Sequence, residues 1–336
     1  MDWIGFNMVA SGSGGNCSLV WDQDNLIVID FGISLRRLKN RMKDLKIDIT
    51  DISLFISHEH SDHSSGVRTL IRNSSVDVYT RQGTADSLGL NDAFAIRNPV
   101  GHRGLQERHE ENSLEGFSGA KAAGLDAVEL DVQFSKDGEI IVFHDYDMDR
   151  LCGVTGSPWD YTLAELKAFR IGKRRETIPT IEEVMDAMGN FPIYIELKTI
   201  DDEGGLVNYG IEEPLARIIA GRESSMYRFL SFNPLSLRRL KELNPGFIVG
   251  LNVSPETIRY YGEIDLDMIR RFSVDFVQPE ISMYLEGGIS GIENKGVQII
   301  PWTVNTVDEA KACMERGASG VISDLPLKLK DMIRGE

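Results

Sequence analysis

Apolar and polar positions alternate along the chain in two manners, and the change falls near residue 97. Beyond it, short apolar runs of strand type are separated by amphipathic stretches of helix type, the rhythm of parallel β/α units. Eight strands are predicted, at Val100–His102, Ala127–Val132, Ile193–Lys198, Arg228–Phe232, Phe247–Val253, Asp275–Pro279, Val297–Val304 and Gly320–Ser323. Helices include Leu235–Leu243, opened by Pro234 and stopped by Pro245-Gly246, and Val307–Arg316, which ends before Gly317. Eight such units in residues 98–336 have the number and size of a (β/α)₈ TIM barrel, an α/β fold. Lys136-Asp137-Gly138-Glu139 interrupts the rhythm with a hairpin signal, which makes Ile140–Phe143 a returning strand. Before residue 97, strands are expected around Ser18–Trp21, Leu26–Ile29 and Ser53–Ile56. No Gly/Ser-rich or Pro-rich linker separates the two stretches, so two abutting domains are expected, 1–97 and 98–336.

Charge sharpens that division. Of the 336 residues, with a net charge of −16, the first 97 hold 10 basic and 12 acidic side chains, net −2, leaving 26 and 40, net −14, for the rest. The acidic surplus argues against a nucleic-acid partner. No run of about 18 uncharged apolar residues suggests a membrane span. The start Met1-Asp2-Trp3 lacks the basic and apolar regions of a signal peptide. A cytoplasmic location is therefore the expectation, and Cys17, Cys152 and Cys313, odd in number and far apart, read as reduced structural thiols.

The chemistry-bearing residues fall on the predicted strands and just past them. Residues two apart on a strand share a face, so Glu129 and Asp131 point together, opposite Val128, Leu130 and Val132. Ile193-Tyr194-Ile195-Glu196-Leu197-Lys198 repeats the device with Glu196 and Lys198. Converging carboxylates inside a barrel suit a hard divalent cation, Mg²⁺ or Ca²⁺; the competing reading is interior salt bridges to Arg103 and Lys198. Two such strands, each at a predicted carboxyl end, favour the cation. His102 follows the first strand and His144-Asp145 ends the hairpin, so both reach one mouth as an acid/base pair. Arg103 and Lys198 can neutralise phosphate oxygens. His109 has no such placement and is expected to be structural.

Taken in order, Gly101-His102-Arg103-Gly104, Glu111-Asn112-Ser113, Glu129-Leu130-Asp131, Asp137-Gly138, His144-Asp145, Ile178-Pro179-Thr180, Glu196-Leu197-Lys198, Trp302-Thr303-Val304-Asn305 and Ser323-Asp324 form a specific series. In this it resembles the glycerophosphodiester phosphodiesterases over nearly all of 98–336. The resemblance implies a barrel of the phosphodiesterase type that releases glycerol 3-phosphate and an alcohol. It implies His102 and His144 as general acid and base, Glu129, Asp131 and Glu196 as metal ligands, and Arg103 and Lys198 as phosphate contacts. Arg108-His109-Glu110 departs from the apolar residue and proline usual before Glu-Asn.

A second motif lies upstream. His58, His60, Asp62 and His63 follow an apolar run, Ile52–Ile56, at alternating positions suited to holding one or two metal ions. Together with Ser11-Gly12-Ser13-Gly14-Gly15-Asn16-Cys17 and Leu26-Ile27-Val28-Ile29-Asp30-Phe31-Gly32, it resembles the metallo-β-lactamase fold over about residues 5–95. That family's complete site also needs a later histidine, a bridging aspartate and a final histidine from a second half, which this chain lacks. The expectation is a truncated domain with a vestigial site, retained for packing or assembly. The alternative is a weak Zn²⁺, Mn²⁺ or Fe site completed by water or another subunit. A sheet missing its second half leaves an apolar face to be covered, and pairing of two chains through residues 1–97 would do so, with the barrel's outer helices as a competing cover. A hydrolase of the metallo-β-lactamase fold with the barrel as accessory is the alternative function.

Overall fold

The computed structural model describes residues 4–334 apart from 24, 50, 59, 74, 80–98, 202, 293, 294 and 296. The chain divides into two compact units, Met1–Phe94 and Ala95–Glu336.

In the first unit five strands lie in sequence order: β1 (Gly5–Ala10), β2 (Cys17–Trp21), β3 (Leu26–Ile29), β4 (Asp51–Phe55) and β5 (Ser75–Tyr79). The first two pairings are antiparallel and the last two parallel. Strand periodicity sends Cys17, Leu19, Leu26, Val28, Ile52 and Leu54 to one face, where they pack with Leu38, Val67 and Leu70 of the helices. The helix Leu35–Leu45 starts where Ser34 Oγ accepts the Arg37 N–H, a cap worth about 1 kcal/mol, and stops at Lys46 in the left-handed region. The other face carries Phe6, Met8, Ile29 and Phe55, which remain 63%, 57%, 40% and 42% exposed. That face is apolar. Strands β1 and β5 were not anticipated from the pattern.

In the second unit, β6 (Val100–Gly101), β7 (Val128–Phe134), β9 (Ile193–Leu197), β10 (Tyr227–Ser231), β11 (Ile248–Val253), β12 (Phe276–Pro279), β13 (Gln298–Ile299) and β14 (Ile322–Ser323) form a parallel sheet. Its path is β13-β12-β11-β10-β9-β7-β6-β14. Backbone bonds join the two ends: Ser319 N–H to the Ile299 carbonyl at 2.8 Å, Ile322 N–H to Pro301 at 3.0 Å and Val304 N–H to Ile322 at 2.8 Å. β8 (Ile140–Val142) returns antiparallel on β7, as the Asp137-Gly138 turn predicts. The seventh strand, expected over Val297–Val304, is only two residues long. Pro301 has no N–H for the ladder, and Trp302 instead bridges Glu280.

Alternation sorts the side chains of this sheet into two layers. Val128, Leu130, Val132, Ile193, Ile195 and Leu197 face the helices and join the main core. Ala127, Tyr194, Leu230, Phe276, Ile300 and Ile322 fill the inside of the curled sheet. Above this plug, at the carboxyl ends of the strands, the inward positions become polar. Thr162, Thr180 and Thr306 open their helices with capping boxes to Glu165, Glu183 and Glu309, which fixes where each connection turns back.

Candidate active site

β6 ends at Gly101, where a Cβ would stand 2.5 Å from the Gly104 carbonyl oxygen, so only glycine permits the immediate reversal. Arg103 sits in that turn at φ 53°, a conformation that costs a non-glycine residue about 1 kcal/mol or more. The turn brings His102 and Arg103 to a cavity of about 210 Å³, also lined by Glu129, His144, Glu196, Lys198, Phe232 and Trp302.

Three buried carboxylates converge there. Glu129, Asp131 and Glu196 place one oxygen each within 4.8 Å of the others. Glu129 accepts the Arg103 backbone N–H at 3.0 Å, Asp131 accepts Asn112 Nδ2 at 2.9 Å, and Glu196 accepts Asn252 Nδ2 at 2.8 Å. Arg103 Nε lies 3.5 Å from Asp131 and Lys198 Nζ lies 3.4 Å from Glu196. The salt bridges weighed as a competing reading are therefore present, yet two cations face three carboxylates. Burial, reinforced by Asp131 and Glu196, holds the Glu129 carboxyl well above its usual range. Asp131 is held below its usual range, since His144, Arg103 and Lys198 outweigh the opposing effect of burial. Burial also works against the charged form of Lys198, but Glu196 and Asp131 raise it. A third carboxyl that burial and its acidic neighbours push toward the neutral form, with Asn252 Oδ1 beside the cluster buried and unpartnered, fits a hard cation held by oxygen ligands.

Each histidine is pinned through the same nitrogen. His102 Nδ1 lies 2.6 Å from Asp324 Oδ1, and His144 Nδ1 lies 2.8 Å from Asp145 Oδ1. An ionised carboxylate only accepts, so Nδ1 carries the hydrogen and Nε2 is the working end. His102 Nε2 is 3.9 Å from Glu129 Oε2. Asp324 is itself held by Gln106 Nε2 and Asn305 Nδ2, each at 2.9 Å. Arg103 donates from Nη1 to Glu111 at 2.8 Å, and Lys198 Nζ stands 4.9 Å from the Tyr146 ring centre.

All seven barrel residues singled out from sequence meet at this one site. The residues that orient them, Asp324, Asn112, Glu111 and Asn252, come from other strands or loops, where strand periodicity assigns them no role. Three of them belong to the ordered motif series, which is the signal that could have found them. His109 is structural in placement, 3.4 Å from Glu176, which also accepts the Glu110 N–H at 3.1 Å. With Arg174 on Glu110, this anchors the loop that departs from the usual apolar residue and proline.

The upstream motif looks different. The His58 and His63 rings lie 3.9 Å apart, tilted by 46°, and His58 and His60 meet edge-on at 4.8 Å. His63 Nδ1 lies 2.7 Å from Asp30 Oδ2, while Asn16 Nδ2 lies 3.0 Å from both Asp62 Oδ2 and His63 Nε2. Among the described residues, three-ligand clusters occur at Glu129, Asp131 and Glu196 and at Glu111, His144 and Asp145, and none at this motif.

A parallel α/β sheet with its polar cluster at the strands' carboxyl ends defines a barrel-type enzyme. Comparison with known proteins narrows the class. The family model described as glycerophosphoryl diester phosphodiesterase matches residues 102–328. A glycerophosphodiester phosphodiesterase of Caldanaerobacter subterraneus subsp. tengcongensis is 31% identical over 245 residues, covering 70% of this chain and 97% of that protein. An Oleispira antarctica phosphodiesterase, solved with its product sn-glycerol-3-phosphate, superposes with a TM-score of 0.61 at 26% identity, over 70% of this chain and 96% of that one. The Thermotoga maritima glycerophosphodiester phosphodiesterase gives 0.56 at 26% identity, over 70% and 97%. The chain belongs to the glycerophosphoryl diester phosphodiesterase family and is an enzyme of that kind. A second model, the metallo-beta-lactamase superfamily, matches residues 10–144 and so runs into the barrel strands from residue 102 onward.

Proposed function

We propose that this enzyme is a metal-dependent phosphodiesterase that hydrolyses glycerophosphodiesters to glycerol 3-phosphate and an alcohol through residues 98–336. The observation that carries this reading is the convergence of three buried carboxylates beside two histidines, each aligned through Nδ1 by its own carboxylate. Glu129, Asp131 and Glu196 would hold Mg²⁺ or Ca²⁺. When bound, the cation supplies Lewis-acid stabilisation of charge on a phosphate oxygen. Arg103 and Lys198 neutralise the remaining phosphate charge. His102 and His144 divide the proton transfers: one takes at Nε2 the proton of the glycerol hydroxyl that attacks phosphorus, the other gives a proton from Nε2 to the departing alkoxide, and water then opens the cyclic glycerol phosphate to glycerol 3-phosphate with the two roles reversed. The Asp324 and Asp145 carboxylates stabilise whichever imidazolium forms. Hydrolysis of a glycerophosphodiester by the full-length protein beside His102→Ala and His58→Ala, with defined metals, tests this. Activity should fall in the first variant and persist in the second.

Residues 1–97 are read as a truncated metallo-β-lactamase-like domain with a vestigial metal site, pairing two chains through its apolar sheet face. Asn16 Nδ2, set between Asp62 and His63, supports that reading over a Zn²⁺, Mn²⁺ or Fe site. A cytoplasmic location is supported by three free cysteines, with burial pushing Cys17 up to about 12 and Cys152 and Cys313 up to about 11. Such thiols are unreactive.

A further inference from the structure

Arg150 is the second residue of the Asp149–Cys152 helical turn, and its side chain is half exposed. Its guanidinium donates to two carboxylates at once. Nε and Nη2 reach Asp145 at 2.6 and 2.8 Å, while Nη1 and Nη2 reach Glu111 at 2.7 and 2.8 Å. Each of those carboxylates holds a group that lines the cavity, Asp145 the His144 ring and Glu111 the Arg103 guanidinium. Two acidic side chains whose oxygens lie within 4.8 Å would repel without a shared cation. A planar, permanently charged fork satisfies both, whereas an ammonium would serve one geometry at a time.

We propose that Arg150 is a positioning residue of the phosphodiesterase site, locking the orientations of His144 and Arg103 together through Asp145 and Glu111. It does not line the cavity and acts through those two residues. His144 acts on the proton transfer and Arg103 on phosphate binding, so one distant side chain governs both turnover and substrate affinity. The inference rests on the function proposed above and goes beyond it.

The test uses full-length protein and glycerophosphocholine as the probe. Arg150→Met should lower kcat by about 10- to 100-fold, the range for removing an orienting partner, and also raise KM. Asp145→Asn should affect mainly kcat and Glu111→Gln mainly KM, which separates the two arms of the lock. Combining Arg150→Met with Asp145→Asn should cost little more in kcat than the worse single variant. Guanidinium ion added to Arg150→Met should restore part of kcat, and Arg150→Lys should fall between Met and wild type. Near-UV circular dichroism of each variant establishes that it is folded. Multiplying losses in the double variant, or an Arg150→Met enzyme with wild-type kcat and KM, overturns the proposal. Wild-type protein that leaves the probe intact would instead overturn the underlying functional reading.

Discussion

The barrel mouth and the upstream histidine motif both gather metal-binding residue types, and they differ in what holds those residues. At the mouth each carboxylate and each histidine has its own partner: the Arg103 backbone N–H for Glu129, Asn112 for Asp131, Asn252 for Glu196, Asp324 for His102 and Asp145 for His144. In the motif Asp30 also holds His63 and Ser57 lies 2.9 Å from His58 Nδ1, but the rings contact one another, an asparagine amide lies between Asp62 and His63, and among the described residues no three ligand atoms gather there. A set of ligand residues is therefore not a site until its oriented lone pairs also converge on one point.

The largest effect expected from this contrast is metal loss. Chelation, or Glu129→Gln or Glu196→Gln, should lower phosphodiesterase turnover by about 10³-fold or more, with Mg²⁺ or Ca²⁺ restoring the chelated wild type. Full turnover in metal-free protein would break the comparison. His102→Ala and His144→Ala should each cost about 10²-fold in turnover while metal affinity, read by calorimetry, changes little. Loss of metal in either variant would move that histidine into the ligand set.

Acid should sharpen the contrast more gently. Despite burial, Glu111, Asp145 and Asp324 are held below the usual carboxylate range by their hydrogen bonds to Arg150 and Arg103, to His144 and Arg150, and to His102. Carboxyls lowered in this way stabilise the folded state fully above their unfolded values and lose that contribution as pH falls through the folded ones. The melting temperature should accordingly decline below about pH 4. A melting temperature unchanged down to pH 3 would show that these pairs add nothing to stability.

The smallest effect on activity belongs to the first unit. His58→Ala and His60→Ala should leave turnover within about 2-fold of wild type, and a larger loss would reassign chemistry to the motif. Phe6→Glu with Met8→Glu should convert a dimer to monomers in sedimentation without altering turnover. Wild-type protein that sediments as a monomer at micromolar concentration would rule out the pairing.

Strand periodicity made the shared facing of Glu129 with Asp131 and of Glu196 with Lys198 legible, because a two-residue repeat is local. The hairpin at Asp137-Gly138 was legible for the same reason. The partners were not. Asp324 stands 222 residues from His102 and meets it only because β14 pairs with β6. Arg150 lies on a four-residue helical turn with no periodic signal. The shortness of β13 follows from where Pro301 falls relative to the ladder, which hydrophobic pattern alone does not reveal.

Gln133 is the third inward position of β7 after Glu129 and Asp131, and its amide nitrogen lies 2.9, 3.1 and 2.9 Å from the carbonyl oxygens of Phe143, His144 and Asp145. One strand therefore carries two of the three carboxylates and also staples down the segment bearing His144. When β7 shifts, both travel with it, so the disturbance is common to them and their mutual spacing survives. Catalytic geometry tolerates errors of only about 0.5 Å. Under that tolerance the junctions that matter are those of β7 with its neighbours β6 and β9, which bring His102 and Glu196. Misalignment entering there is not shared by the two groups, and through Asp324 and Asn252 it can also reach the site from β14 and β11.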